Sequence, residues 1–215
     1  LNMRPAAFER IHQALMQLNR ACLPAWANLV EGFGLQQWVH VQGSLLVCEK
    51  AASLQALQNH GFKLNGLGVE NTLLDGAALQ EREPALANNQ IGGLFFPDTG
   101  HVTDLMAVMN KLATEFQAAG GEIIENCAVL HAKQQGTQVL LHTSQGEKQA
   151  DKVVVAMGAH AKALVEELTG VSVPLDTERG YHYMLPQEQG RLNIPVSSAD
   201  RRFIMTPMDG GLRLA

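Results

Sequence analysis

The sequence predicts a mixed α/β (α+β) fold, in which a nucleotide-binding α/β segment sits beside a domain built on an antiparallel sheet. Three observations lead there. First, a helical stretch ending in Ala118-Ala119-Gly120-Gly121 runs into GEIIENCAVLHAK, the helix-to-strand passage of an α/β unit. Second, residues 153–156 (VVVA) read as a buried strand that ends in the small-residue loop Met157-Gly158-Ala159 and enters a helix. Ligands of open α/β sheets sit at such strand ends. Third, both flanks carry short, alternating strand signals separated by turns. The Gly-x-Gly-x-x-Gly expected after the first strand of such a unit occurs nowhere in the 215 residues, so the sequence reads as a piece of a larger dinucleotide enzyme.

Pro5 suits the first turn of a helix, where a missing N–H costs nothing. Phe8, Ile11, Leu15, Leu18, Cys22, Trp26 and Leu29 recur at spacings of three and four, forming one apolar stripe on a long amphipathic helix. Pro24 should interrupt that helix, and Gly32 and Gly34 should end it. QWVHVQGSLLVC (37–48) reads as two short strands around Gly43. Residues 53–60 read as a helix stopped by Gly61 just past its C-cap, 69–74 as a strand, and 75–83 as a short helix closed by Pro84. IGGLFF (91–96) is a strand, and Pro97-Asp98-Thr99-Gly100 a turn. A helix capped by Thr103 or Asp104 follows, with a stripe of Leu105, Val108 or Met109, Leu112 and Phe116, and it ends at Gly120-Gly121. Residues 122–130 read as a strand. A hairpin crosses Ser144-Gln145-Gly146 and feeds into 153–156. Beyond 171–174, strands are expected at 181–185, 203–206 and 212–215, with a hairpin turn at Asp209-Gly210-Gly211. Residues 98–172 are thus the βαβ-like segment, and 1–97 with 173–215 combine into a discontinuous second domain.

Composition narrows the function classes. Hydrophobic residues at 46% and charged residues at 17% describe a globular chain rather than a disordered one. A net charge of −5 with no basic run denser than Arg201-Arg202 excludes a nucleic-acid surface. Cys22, Cys48 and Cys127 are scattered and odd in number, which suggests neither a zinc site nor a disulfide framework; they read as reduced, packed thiols of a cytoplasmic protein. No metal is expected, because the eight histidines show no ligand spacing. No signal peptide is expected, and no apolar run approaches the ~20 residues that span a bilayer, so no transmembrane segment is expected.

The chemistry-bearing candidates cluster in three places. At Ala156, Met157 and Gly158, a cofactor backbone passing a strand end requires small residues, and the following helix offers unpaired N–H groups to a pyrophosphate. The alternative is a tight strand-to-helix turn without a ligand. At Ala128-Val129-Leu130, a strand edge could pair with an adenine. In Glu178-Arg179-Gly180-Tyr181-His182-Tyr183, a glycine inside a strand marks close backbone approach, and Arg179 suits a bidentate grip on a carboxylate. Tyr181 and Tyr183 point one way and Gly180 and His182 the other, so one of the two pairs faces a cavity. His101 follows the turn, where it either lines the site or steadies the turn.

PDTGHVTDLMAVMNKLATEFQAAGGEIIENCAVLHA, ADKVVVAMGAHAKAL, VPLDTERGYHYMLP and RRFIMTPMDGGLRLA, in that order, resemble the FAD-dependent D-amino-acid dehydrogenase and glycine/sarcosine oxidase (DAO-type) family over most of the chain. The resemblance implies that 98–172 is a partial FAD-binding domain of glutathione-reductase type and that 1–97 and 173–215 form a substrate-binding domain on an antiparallel sheet. It implies FAD as cofactor, held by Val129, Ala156, Met157, Gly158 and Gly180. It implies a small amine or amino-acid substrate, met by Arg179, Tyr181, His182, Tyr183 and Phe203 and oxidised to an imine that hydrolyses to a 2-oxo acid and ammonia. It assigns no catalytic residue. Met157 departs from the small polar residue usual in the family's loop. The Gly-rich loop and the C-terminal part of the family are missing, so this polypeptide alone is expected to bind FAD poorly and not to turn over. A cytoplasmic location, or one peripheral to the inner membrane, is implied. The alternatives are a flavin-free binding module and a family relative acting on a 2-hydroxy acid.

Overall fold

The structure is a computed structural model that describes residues 5–215. The side chain of Phe8 lies outside the described residues. Two compact units emerge, one formed by 1–119 with 181–215 and the other by 120–180.

The first unit opens with α1 (Pro5–Asn19) and α2 (Cys22–Phe33). The chain breaks at Arg20-Ala21 rather than at Pro24, which falls in the first turn of α2, where no N–H is needed. Gly34 ends α2 with φ +68°. Ile11, Leu15, Leu18 and Trp26, expected as one stripe, are exposed, while His12 and Met16 are half-buried. Then follow β1 (Val39–His40), β2 (Ser44–Cys48), α3 (Ala51–Gly66), β3 (Thr72–Asp75), α4 (Gly76–Arg82), β4 (Gly92–Phe96), β5 (His101–Val102) and α5 (Leu105–Ala118). Gly61 does not stop α3. It lies inside the helix, where a Cβ would come within 2.5 Å of Asn71 Oδ1 and 2.9 Å of a Leu94 methyl, so its smallness lets the helix sit on the sheet. Asp75 caps α4 by accepting from the Ala78 N–H at 2.8 Å, and Asp104 caps α5 by accepting from the Ala107 N–H at 2.9 Å. Asp104→Ala removes that acceptor, and a denaturant titration should show about 1 kcal/mol of lost stability.

After the second unit, β9 (Tyr183–Leu185), β10 (Val196–Ser198), β11 (Phe203–Met208) and β12 (Gly211–Leu214) return to the first. Their seven-stranded sheet runs β3-β4-β2-β10-β11-β12-β9, so strands from both ends of the chain share one ladder. Every pairing is antiparallel except β10 with β2. Side-chain alternation divides its core in two. On one face Leu45, Val47, Val196 and Leu212 meet Leu79 of α4 and Leu86, Leu192 and Ile194 of the loops. On the other, Cys48 and Leu94 meet Leu57 of α3. Each such buried leucine contributes roughly 1.5–3 kcal/mol by leaving water.

The second unit holds β6 (Val129–Gln135), β7 (Gln138–Thr143) and β8 (Gly146–Ala150) in a three-stranded meander, with α6 (Ala161–Thr169) against β6. Ala132, Ala161 and Leu164 form its small core. Two expected strands do not form. Residues 122–128 are irregular, with Asn126 at φ +55°, and 153–156 belong to no helix or sheet. Val154 is 89% exposed, so 153–156 is not a buried strand. A strand exists only through a partner's ladder, and neither segment has one among the described residues.

Candidate functional site

Residues 156–160 make the corner leading into α6. Ala156 and Gly158 are exposed and Met157 is 39% exposed. Gly158 has φ +56°, a left-handed conformation that favours glycine, and a Cβ there would meet nothing within 4 Å. The corner opens as a single 3-10 turn, Gly158–His160, with the His160 N–H donating to the Met157 carbonyl at 3.2 Å. The helix proper starts at Ala161. No bulky side chain fills this corner, so its residues fit a dinucleotide backbone.

Val129 begins β6 and pairs with Thr143. Its neighbour Ala128 has both backbone groups engaged: its N–H donates to Ser144 Oγ at 3.0 Å and its carbonyl accepts the Ser144 N–H at 2.9 Å. The edge expected at 128–130 is therefore already paired at Ala128. Gly180 does not lie inside a strand. It lies three positions before the start of β9, is exposed, and has open space where a Cβ would stand, so the close approach expected there is not seen among the described residues. Arg179 is exposed and belongs to the second unit.

In the first unit the sheet gathers the other candidates. Tyr183 is opposite Leu214 across β9 and β12, and Tyr181, His182, Tyr183, Phe203, Leu214 and Ala215 line an open hollow of about 360 Å³. Tyr181 and Tyr183 are 79% and 70% exposed, so their rings form a wall rather than a core. Phe203 also lines a second hollow of about 270 Å³, with Glu49, Gln90, Arg201, Met205 and Leu212 among its walls. His101 lines neither of these two hollows. It pairs with His40 across β1 and β5 with ring centres 5.4 Å apart, and burial, then the neighbouring imidazole, hold its pKa below the ordinary histidine value.

A polar cluster borders the second hollow that sequence reading did not assemble. Arg201 donates Nε–H and Nη2–H to the two Glu49 oxygens at 2.8 and 3.0 Å, and Gln90 Nε2 donates to the same carboxylate at 3.2 Å. Asp200 accepts from Ser53 Oγ at 2.6 Å and from the Glu49 N–H at 2.7 Å. The Arg201 bond holds the Glu49 carboxyl below its usual range, the Ser53 hydroxyl does the same for Asp200, and Glu49 in turn raises the Arg201 guanidinium. Burial pushes the Cys48 thiol up, with Asp200 adding to it. Both carboxyl pKa values fall on folding. Their stabilisation is therefore complete above the unfolded values near about pH 4 and is lost as pH drops through the lower folded values. Asp200→Asn should flatten the acid limb of a plot of unfolding midpoint against pH below about pH 4, leaving neutral pH little changed in slope. Arg201 reads in sequence only as half of a basic pair; its partner Glu49 lies 152 positions away, and no local pattern joins them.

Among the described residues no group of three or more His, Cys, Asp or Glu is arranged to hold a metal, and no helix is long and apolar enough to cross a membrane.

A mixed α/β chain with an uncovered small-residue corner and an aromatic-walled sheet has the architecture of a flavin oxidoreductase fold. It superposes on glycine oxidase from Bacillus cereus ATCC 14579 with a TM-score of 0.72 at 21% identity, over 100% of this chain and 57% of that one. The chain belongs to the DAO family of FAD dependent oxidoreductases, which it matches over residues 3–215. It is 30% identical over 188 residues to a D-amino acid dehydrogenase of Vibrio vulnificus (strain YJ016), covering 85% of this chain and 40% of that protein. It is also 32% identical over 129 residues to an L-2-hydroxyglutarate dehydrogenase of Escherichia coli (strain K12), covering 59% and 29%. The chain thus spans about two-fifths of the length of the D-amino acid dehydrogenase it matches.

Proposed function

We propose that this chain is part of an FAD-dependent enzyme that oxidises the C–N bond of a D-amino acid or related small amine. The observation carrying the proposal is the uncovered Ala156-Met157-Gly158 corner at the head of α6, in a chain of this family. Residues 98–172 then form part of the FAD-binding domain, and 1–97 with 173–215 bind substrate. Val129, Ala156, Met157, Gly158 and Gly180 would hold FAD, with small side chains and backbone N–H groups turned to its pyrophosphate. Bound FAD supplies the acceptor for the hydride that leaves the substrate α-carbon. As that hydrogen departs with its electron pair, the amine nitrogen lone pair becomes the second C=N bond. The nitrogen must therefore arrive unprotonated. Water then adds to the imine, giving a 2-oxo acid and ammonia.

The chain's own residues supply placement. Arg179, an exposed guanidinium with no ion pair among the described residues, suits the substrate carboxylate through paired N–H donors. Tyr181, Tyr183 and Phe203 give the substrate an apolar wall that keeps water from the reacting carbon, and His182 adds a polar group beside them. The proposed location is cytoplasmic, in keeping with three free thiols, with contact to the inner membrane peripheral.

The similarity to an L-2-hydroxyglutarate dehydrogenase supports a second reading, oxidation of a 2-hydroxy acid's C–O bond. Both are tested by purifying the whole protein, recording its flavin absorption, and following bleaching of that absorption with D-amino acids, glycine and L-2-hydroxy acids in turn. Bleaching by D-amino acids supports the amine reading, and bleaching by 2-hydroxy acids alone replaces it with the second. A protein that carries no flavin and gains none on reconstitution ends both.

A further inference from the structure

The second hollow, beside the Glu49–Arg201 pair, has no part in the scheme above. We propose that it is the subsite for the substrate's side chain and that it selects uncharged side chains; this rests on the amine-oxidising reading. Phe203 lines both hollows, so a substrate held against the Tyr181–Tyr183 wall has this one beside the same ring. Its volume, about 270 Å³, falls just short of the roughly 300–1,000 Å³ of pockets that take whole ligands, which suits a side chain and not a dinucleotide.

The lining sets the preference. Val47, Leu86, Leu192 and Leu212 are at most 7% exposed and give an apolar floor, on which each buried methylene is worth about fourfold in binding. The charges at the rim cancel in pairs. Glu49 is held by Arg201 Nε and Nη2, and Arg191 by Glu188 at 2.6 Å. An ammonium or carboxylate entering here leaves water and meets a counter-charge already engaged. Arg201 Nη1 has no acceptor among the described residues, so it remains a donor for a side-chain carbonyl or hydroxyl. Methionine- and glutamine-like side chains fit this lining; lysine- and glutamate-like ones do not.

The test is kcat/KM of the whole flavoprotein for D-methionine, D-glutamine, D-lysine and D-glutamate. The unaltered protein should favour the first two over the last two by about tenfold or more. Arg201→Met strips Glu49 of its cation and should raise the lysine-to-methionine ratio by about tenfold, and Glu49→Gln frees Arg201 and should raise the glutamate-to-methionine ratio by a similar factor. Opposite shifts from two halves of one ion pair do not arise from lost structure, which lowers every substrate together. Parallel losses, or unchanged ratios in an enzyme that does oxidise D-amino acids, overturn the subsite alone. A flavoprotein that oxidises no amine overturns the amine reading, and this proposal with it.

Discussion

Glu83→Ala should lower the unfolding free energy of this chain by about 2–4 kcal/mol, read from a urea titration. Glu83 has 0% exposure yet ends a helix, α4, one residue before Pro84. Its two oxygens accept the Asn193 N–H at 2.8 Å, Asn193 Nδ2 at 3.0 Å and the Ile194 N–H at 3.4 Å. Those contacts join α4 to the loop leading into β10, across 110 positions of sequence. Alanine takes this acceptor from the N–H groups of Asn193 and buried Ile194 and leaves a void where the fully buried Glu83 side chain stood. An unsatisfied buried donor costs roughly 1–3 kcal/mol, and the void adds its own term. Glu83→Gln keeps the shape and one acceptor oxygen, so it should lose about half as much. A Glu83→Ala protein within about 0.5 kcal/mol of the parent would show that the loop finds other acceptors and that the contact is dispensable.

The contrast between Asp104 and Glu83 shows what can be read from sequence here. Asp104 caps its own helix three residues on, so a local rule finds it. The hairpin turn at Asp209-Gly210 and the strands either side of it are legible for the same reason. Glu83 and the Glu49–Arg201 pair act across 110 and 152 positions, and nothing near them in sequence marks their partners. Strand signals behave alike. IGGLFF becomes β4 because β2 and β3 lie on either side of it, despite its two glycines, whereas the valine-rich VVVA has no neighbouring strand among the described residues. Gly61 misleads because a helix-ending glycine and a glycine admitting a close neighbour look identical without the sheet beneath. At the site, Tyr181, His182, Tyr183 and Phe203 line one hollow, although alternation set His182 opposite the two tyrosines; residues 181 and 182 precede β9, so strand alternation does not govern them. The polar half of the second hollow is not legible in sequence, because it is assembled from Glu49 just after β2, the α4–β4 loop and the turn before β11.

Ala156→Glu in the whole protein should weaken FAD binding by at least about a hundredfold, so that it purifies nearly colourless. The proposal places the cofactor's pyrophosphate against this corner, where an added carboxylate brings like charge and four heavy atoms into the space that Ala156 leaves free. Because Ala156 is exposed and outside any helix or strand, glutamate there removes no contact that holds the unit together, and the thermal midpoint of the flavin-free protein should stay within a degree or two of the parent. Ala156→Ser, small and neutral, should keep its flavin. That combination separates a cofactor contact from a folding role, which would lower the midpoint with the glutamate substitution. An Ala156→Glu protein that remains yellow, with parental flavin content and an unshifted flavin spectrum, would mean that the dinucleotide lies elsewhere, and with it the assignment of Met157 and Gly158 would go.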